Sequence, residues 1–133
     1  MVDIFTKHQR SANMSAVRSK NTKPEIMVRT FLFSNGFRYR LHDKKLPGKP
    51  DIVLKKYRTV IFVNGCFWHG HDCKKGRLPK TNIDFWETKI ATNKIRDLEN
   101  TTHLKKLGWN VLTIWECEVY NDKLYDLPSQ IKG

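Results

Sequence analysis

Acidic residues are what this chain lacks most. Thirteen Asp and Glu stand against 25 Lys and Arg in 133 residues, a formal charge of +12, and none of the thirteen falls between Ile4 and Pro24. In so short a chain that balance points to a polyanionic partner, or failing that to a merely basic soluble protein. Long apolar runs are also missing. No stretch approaches the roughly 18 residues of a membrane-spanning helix, and the N-terminus has neither the charged start nor the apolar core of a signal peptide. These absences predict a cytoplasmic protein with no membrane partner. Cysteines number only three, an odd count that argues against a disulfide framework and leaves metal ligation or burial as small apolar side chains. There is no internal repeat or low-complexity tract, and the length suits one domain with one core.

What the chain does have is concentrated in nine residues, Gly65-Cys66-Phe67-Trp68-His69-Gly70-His71-Asp72-Cys73. Two thiols, two imidazoles, a carboxylate and two large aromatics follow an apolar run at 59–63 that reads as a buried strand. Connecting loops are ordinarily polar and turn-like, so a loop of this composition points to function.

The rest of the chain can be read around that loop. Residues 1–21 form a basic arm suited to a phosphate backbone, or a tail without a role. Thr22-Lys-Pro-Glu25 is a capping-box pattern with proline in the first turn, predicting a helix to about Asn35 with Gly36 as its stop. Glu25, Val28 and Leu32 share one stripe of it, so Glu25 either caps the helix or reaches towards a site. Residues 37–41 alternate apolar and basic, as in a strand with one wet face. The β-rich runs at 51–54 and 59–63 are four residues apart and read as a hairpin. A long helix is predicted from Ile83 to Leu107, with Asp84 as cap and Glu87 at the capping-box position. Trp86, Ile90, Asn93, Asp97 and Leu104 lie along one stripe of it. An inward Asp97 requires a partner, either a histidine or a metal-bound water in preference to a plain salt bridge. A strand at 109–115 and a short amphipathic helix within 121–131 complete an α/β chain, a mixed sheet flanked by helices. Residues 22–133 are expected to form a single domain.

Two sites emerge. Cys66, His71 and Cys73 span eight residues, and Cys117 follows 44 residues later at the end of the last strand. Three thiols and an imidazole make a closed tetrahedral set for a structural Zn²⁺, unless the cysteines are simply buried. Asp51 opens a strand in a basic protein, with Glu25 on the preceding helix. Such acids either cap turns or supply the hard oxygen ligands with which Mg²⁺ serves phosphodiester hydrolysis. His69 would then act as general acid or base, oriented by Asp97. Phe67, Trp68 and Trp86 read on their own as packing over the loop and its helix.

Four segments in combination carry a resemblance: Leu46-Pro-Gly-Lys-Pro-Asp51, Val60-Ile-Phe-Val-Asn-Gly-Cys-Phe-Trp-His69, the His71-x-Cys73 that follows, and Gly108-Trp-x-Val-Leu-x-Ile-Trp-Glu-Cys117. From about Ser11 to Glu118 the chain resembles the very short patch repair (Vsr) DNA mismatch endonucleases. The resemblance implies a restriction-endonuclease-like fold and a Mg²⁺-dependent nick in duplex DNA beside a T·G mismatch left by deamination of 5-methylcytosine. It makes Asp51 and the Val63 carbonyl the Mg²⁺ ligands, with Glu25, His69 and Asp97 completing the catalytic group. It makes Cys66, His71, Cys73 and Cys117 the structural zinc site. Phe67, Trp68 and Trp86 become a wedge entering the base stack, with Met14 of the arm closing over the DNA. A monomer is expected, with a mismatch-repair protein as a possible partner. The chain departs from the family at Asn64, Gly70 and Asp72, where some members carry histidine, and at Val63, which replaces a hydroxyl residue. Three other readings compete: a zinc-stabilised DNA-binding module without catalysis, a nicking enzyme of the same fold with different specificity, and a hydrolase using the zinc itself, which four good ligands would leave no open position to do.

Overall fold

The computed structural model describes residues 22–132, so the basic arm and Met14 lie outside the described residues. The first helix, α1, spans Lys23–Ser34, with Thr22 as N-cap accepting from the Glu25 amide at 3.4 Å and Pro24 in its first turn. Gly36, at φ +87°, takes the left-handed conformation that ends the helix. The stripe expected on α1 is the buried one: Glu25, Val28 and Leu32 all face inward.

Four strands follow, β1 Arg40–Leu41, β2 Ile52–Leu54, β3 Thr59–Asn64 and β4 Asn110–Trp115, ordered β1-β2-β3-β4 in one sheet. The first three pair antiparallel, and β3 pairs parallel with β4. The hairpin between β2 and β3 turns through a 3-10 segment, Lys55–Tyr57, and Arg58 at φ +51°. The parallel pair needs a long crossover, supplied by α2 at Ile83–Lys106. After β4 come α3, Glu116–Tyr120, a 3-10 turn at Lys123–Asp126, and α4, Leu127–Lys132.

Alternate residues of each strand feed two cores, as the period of two requires. Ile52, Leu54, Ile61 and Ile114 join Val28 and Leu32 of α1, Val119 of α3, and Leu124, Leu127 and Ile131. On the opposite face Val53 and Val60 pack with Leu104 of α2, flanked by Leu46, Phe62, Trp109 and Val111. The sheet is thus a middle layer between α1, α3 and α4 on one side and α2 on the other.

Three expectations are corrected. The strand predicted at 37–41 shrinks to two residues. Phe37 is buried in the first core, Arg38 stacks on the Phe33 ring at 4.3 Å, and the Tyr39 hydroxyl donates to the Arg29 carbonyl at 3.0 Å. Those ties to α1 keep residues 37–39 out of the ladder. Helix α2 is capped by Asn82 in the left-handed conformation with no side-chain cap bond; Asp84 lies inside the first turn, where its charge suits the helix dipole. Cys117 is not at a strand end but in the first turn of α3, where the backbone has already left the sheet.

Candidate functional site

Asp51 sits one residue before β2, after Pro50. There the ladder to β3 has ended at Ile52↔Ile61, and the Asp51 side chain continues the pairing, its Oδ2 accepting from the Val63 amide at 2.8 Å. The amide and carbonyl of one strand residue face the same neighbour, so the Val63 carbonyl is directed to the Asp51 side as well. Burial pushes the Asp51 carboxyl up to about 7. The Val63 hydrogen bond works against that rise, and the charge of nearby Glu25 adds to it.

Glu25 is 2% exposed. Its amide donates to the Thr22 hydroxyl oxygen that caps the helix, yet its carboxylate does not turn back to the helix start. Both oxygens lie 2.9 Å from His42 Nε2, and Oε2 also takes a bond from Arg29 at 3.1 Å. Glu25, His42 and Asp51 bring ligand atoms within 4.8 Å of one another. His42 was missing from the sequence reading. It follows β1, and the register that sets it opposite Asp51 spans a loop that periodicity does not encode.

From β3 the chain enters the loop. His69 Nδ1 lies 2.5 Å from Asp97 Oδ2. This pair joins the loop to α2, and it is the histidine partner that an inward aspartate called for. The stripe predicted on α2 is the less exposed one: Trp86, Ile90, Asn93, Asp97 and Leu104 are buried or half-buried between exposed neighbours. Asn93 Nδ2 donates to the Trp68 carbonyl at 2.8 Å, a second bridge that spacing alone had not assigned. Asp51, Val63, Asn64, Phe67, Trp68, His69 and Asp97 line one cavity of about 560 Å³.

Phe67, Trp68 and Trp86 form a mutual edge-to-face cluster with centroids 5.0 to 5.7 Å apart, and Phe85 joins Trp86 at 5.1 Å. None of the four belongs to either core. They are therefore not helix core residues; two of them face the cavity and Phe85 is 60% exposed.

Below the loop, one donor atom each from Cys66, His71, Cys73 and Cys117 falls within 4.8 Å of the others. His71 Nδ1 is 3.4 Å from Cys117 Sγ. Ligands at Zn–S and Zn–N distances around a tetrahedral ion stand about 3.5 Å apart, so the spacing fits one. The backbone builds this pocket: His71 N donates to Cys66 O, Cys73 N to His71 O and Gly76 N to Cys73 O. The His71 ring stacks on Trp115 at 4.3 Å and 12°. Burial pushes the Cys66 thiol up to about 12 and raises that of Cys117. Thiols so poorly hydrated ionise only if a cation compensates, which suits a metal site.

Two glycines shape the loop. A Cβ on Gly76 would stand 1.9 Å from the His71 carbonyl oxygen, so Gly76→Ala must displace the metal-binding turn itself. We expect that variant to lose roughly 1–3 kcal/mol, read as a lower unfolding midpoint, whereas an unchanged midpoint would show that the turn yields freely. Gly70, at φ +64°, has Ile90 and Lys94 side-chain carbons 2.5 and 2.4 Å from where a Cβ would be, so α2 leaves no room there for a side chain in this chain.

The sequence model described as DNA mismatch endonuclease Vsr matches residues 2–75, more than half the chain. The type II nicking enzyme V.NmeAIP of Neisseria meningitidis is 57% identical over 99% of this chain and 98% of its own length. V.XorIIP of Xanthomonas oryzae, also a type II nicking enzyme, is 50% identical over 90% and 88%. The DNA mismatch endonuclease Vsr of Escherichia coli is 42% identical over 95% of this chain and 81% of its own. The chain therefore belongs to the Vsr family of DNA mismatch endonucleases, as a strand-nicking nuclease built on a restriction-endonuclease-like mixed sheet.

Proposed function

We propose that the protein nicks one strand of duplex DNA beside a T·G mismatch, with Mg²⁺ at Asp51 and Zn²⁺ at the Cys66 cluster. The observation that carries this reading is the single cavity shared by Asp51, Val63, the His69–Asp97 pair and the rings of Phe67 and Trp68. Carboxylate and carbonyl oxygens suit Mg²⁺, while three thiols and an imidazole suit Zn²⁺. The Mg²⁺ would supply Lewis-acid stabilisation of charge on the scissile phosphate. Asp51 holds that position, with the Val63 carbonyl beside it and Glu25 behind. Asp97 engages His69 Nδ1, which leaves Nε2 as the nitrogen that takes or gives a proton. The zinc cluster is a closed set, so its part is to hold the loop and α3 together rather than to react.

Affinity for DNA comes from the lysines and arginines, including the arm at 1–21 with Met14. No helix among the described residues is long and apolar enough to cross a membrane, and a DNA substrate puts the enzyme in the bacterial cytoplasm, acting as a monomer with or without a mismatch-repair partner.

A T·G wobble retains two hydrogen bonds and changes groove shape little, so recognition by base edges is weak. Rings pushed between base steps cost a few kcal/mol of unstacking, less where the stack is already loosened. This role is supported by the Phe67, Trp68 and Trp86 cluster lying outside both cores, beside His69. Trp68→Ala is expected to slow nicking of T·G duplexes far more than it weakens binding to matched DNA. Full rate and selectivity in that variant would reduce the cluster to packing.

A second reading, a nicking enzyme of different specificity, is favoured by the names of the two relatives at 50 and 57% identity. Cleavage of duplexes carrying each mismatch in varied flanking sequence separates the two. A preference for T·G in one context supports the first, and equal cutting of another mismatch supports the second.

A further inference from the structure

We propose that His42 is a positioning residue for the reaction, holding the buried Glu25 carboxylate in the orientation it needs beside Asp51; this rests on the reading of Asp51 as the metal-holding acid with Glu25 in its catalytic group. Glu25 lies almost wholly out of water on α1. An ionised carboxylate in such a place is costly unless it is paired and hydrogen-bonded. Among the described residues Arg29 from the next turn of α1 and His42 from the end of β1 meet it. Arg29 donates to Oε2 at 3.1 Å, in an i,i+4 pair that any helix surface can make. His42 is different in kind. Its Nε2 is equidistant, at 2.9 Å, from both oxygens, so it faces the carboxylate head-on and fixes its rotation about the terminal bond.

The backbone also singles out His42. It sits at φ +49°, a left-handed conformation that costs a non-glycine residue energy and persists only where the surroundings hold it. What holds it is the strand register, because its amide donates to the Asp51 carbonyl at 3.1 Å, directly across from the metal-holding residue. One residue thus touches Asp51 through its main chain and Glu25 through its ring. The two acids come from different elements, a helix and a strand, and His42 is the part that sets their spacing.

Ligand atoms of His42, Glu25 and Asp51 lie within 4.8 Å of one another, so His42 has to be judged as a metal ligand as well. The hydrogen bonds decide against that role. The His42 Nε2 already faces both Glu25 oxygens at 2.9 Å, so that ring nitrogen is engaged by the carboxylate rather than open to a cation. His42 therefore acts through Glu25.

The test is a double-mutant cycle on the full chain, read as single-turnover nicking of a T·G duplex at saturating enzyme. His42→Ala is expected to lower the rate about 30-fold or more while DNA affinity stays within about 3-fold. His42→Gln, which restores an N–H donor of similar reach, is expected to recover most of the rate. In a Glu25→Gln background, His42→Ala is expected to cost no more than about 2-fold further, because the group it positions is gone. Circular dichroism and metal content of each variant check that the fold is kept, and the His42→Gln comparison stands even if His42→Ala folds poorly. A wild-type rate for His42→Ala overturns the proposal, and so do additive losses in the cycle. A His42→Gln enzyme as slow as His42→Ala overturns it too, since the imidazole itself would then be required. If Glu25→Gln alone nicks at the wild-type rate, the assignment of Glu25 falls, and the proposal with it.

Discussion

Stripping the metal from Cys66, His71, Cys73 and Cys117 is expected to unfold the protein. The cluster ties the loop after β3 to the first turn of α3, just beyond the point where the β3–β4 pairing ends at Asn64↔Trp115. Cys66 and Cys73 bound the loop that follows β3, while Cys117 opens α3, which packs its Val119 into the core around α1. The Cys117 amide already points at Cys66 Sγ, 3.4 Å away, so the fold brings the ends together where the proposed ion would close them. Structural zinc contributes about 10 kcal/mol or more, which matches or exceeds the roughly 5–15 kcal/mol of net stability of a typical domain. Without the ion, burial of thiols and an imidazole has to be borne by a small two-sided core. One zinc per chain is expected by elemental analysis. Chelation should collapse the circular dichroism signal of α2, and Cys117→Ser should lower the unfolding midpoint far more than any surface change. A chelated, metal-free protein that keeps its native spectrum would remove zinc from the account of the fold.

Asp51→Asn is expected to do two opposite things, to abolish nicking and to stabilise the zinc-loaded, Mg²⁺-free protein above neutral pH. The carboxylate positions the cation, so its loss should lower the rate by several orders of magnitude, while binding, which depends on Lys and Arg contacts with phosphate, is retained. The stability effect follows from burial. The Asp51 carboxyl is raised from 3.8 to about 7 in the folded chain. The folded state therefore holds its proton more tightly than the unfolded state does. Nothing is lost below about pH 4, where both states are protonated. As pH rises from about 4 to 7 the unfolded chain gains by ionising and the native chain loses stability. Above pH 7 the deficit is complete, on the order of 2–4 kcal/mol. Asparagine escapes that cost and can still accept from the Val63 amide. Without added cation, the variant should melt higher than wild type at pH 8 and level with it at pH 4. Added Mg²⁺ should raise the wild-type midpoint at pH 8 more than at pH 6, and leave the variant unmoved. A variant less stable than wild type at pH 8 would show that Asp51 is not the strained, cation-requiring acid described here.

Much of this arrangement could be read from the chain, because its main parts are locally encoded. Thr22 and Gly36 bound α1 through capping and left-handed backbone, which are local effects. The α2 stripe through Trp86, Asn93 and Asp97 follows from helical period, and from it the need of Asp97 for a partner. The Cys and His spacing in the loop suggested a ligand set from three of its residues, and the donor atoms of those three and of Cys117 do converge. Long-range geometry was less legible. The pairing of Glu25 with His42 depends on a strand register set across residues 43–50, where no periodicity operates, and Thr22-x-x-Glu25 mimics a capping box whose carboxylate in fact turns inward. Alternation at 37–41 likewise suggested a full strand, because Phe37 looks the same in sequence whether it faces a sheet neighbour or drops into the core against α1. The left-handed cap at Asn82 lies one turn of reasoning beyond the acidic residues that resemble a cap.

One loop is expected to couple mismatch recognition to a metal-dependent nick. That coupling is tested most directly by single-turnover cleavage, with Mg²⁺ present, of two duplexes that differ only in carrying T·G or T·A at one site, each strand labelled separately. The account predicts a single cut beside the T of the mismatched duplex, an intact complementary strand, and no comparable cutting of the matched duplex or of either duplex when Mg²⁺ is withheld. Equal cutting of both duplexes, or cleavage that persists without a divalent cation, would contradict it.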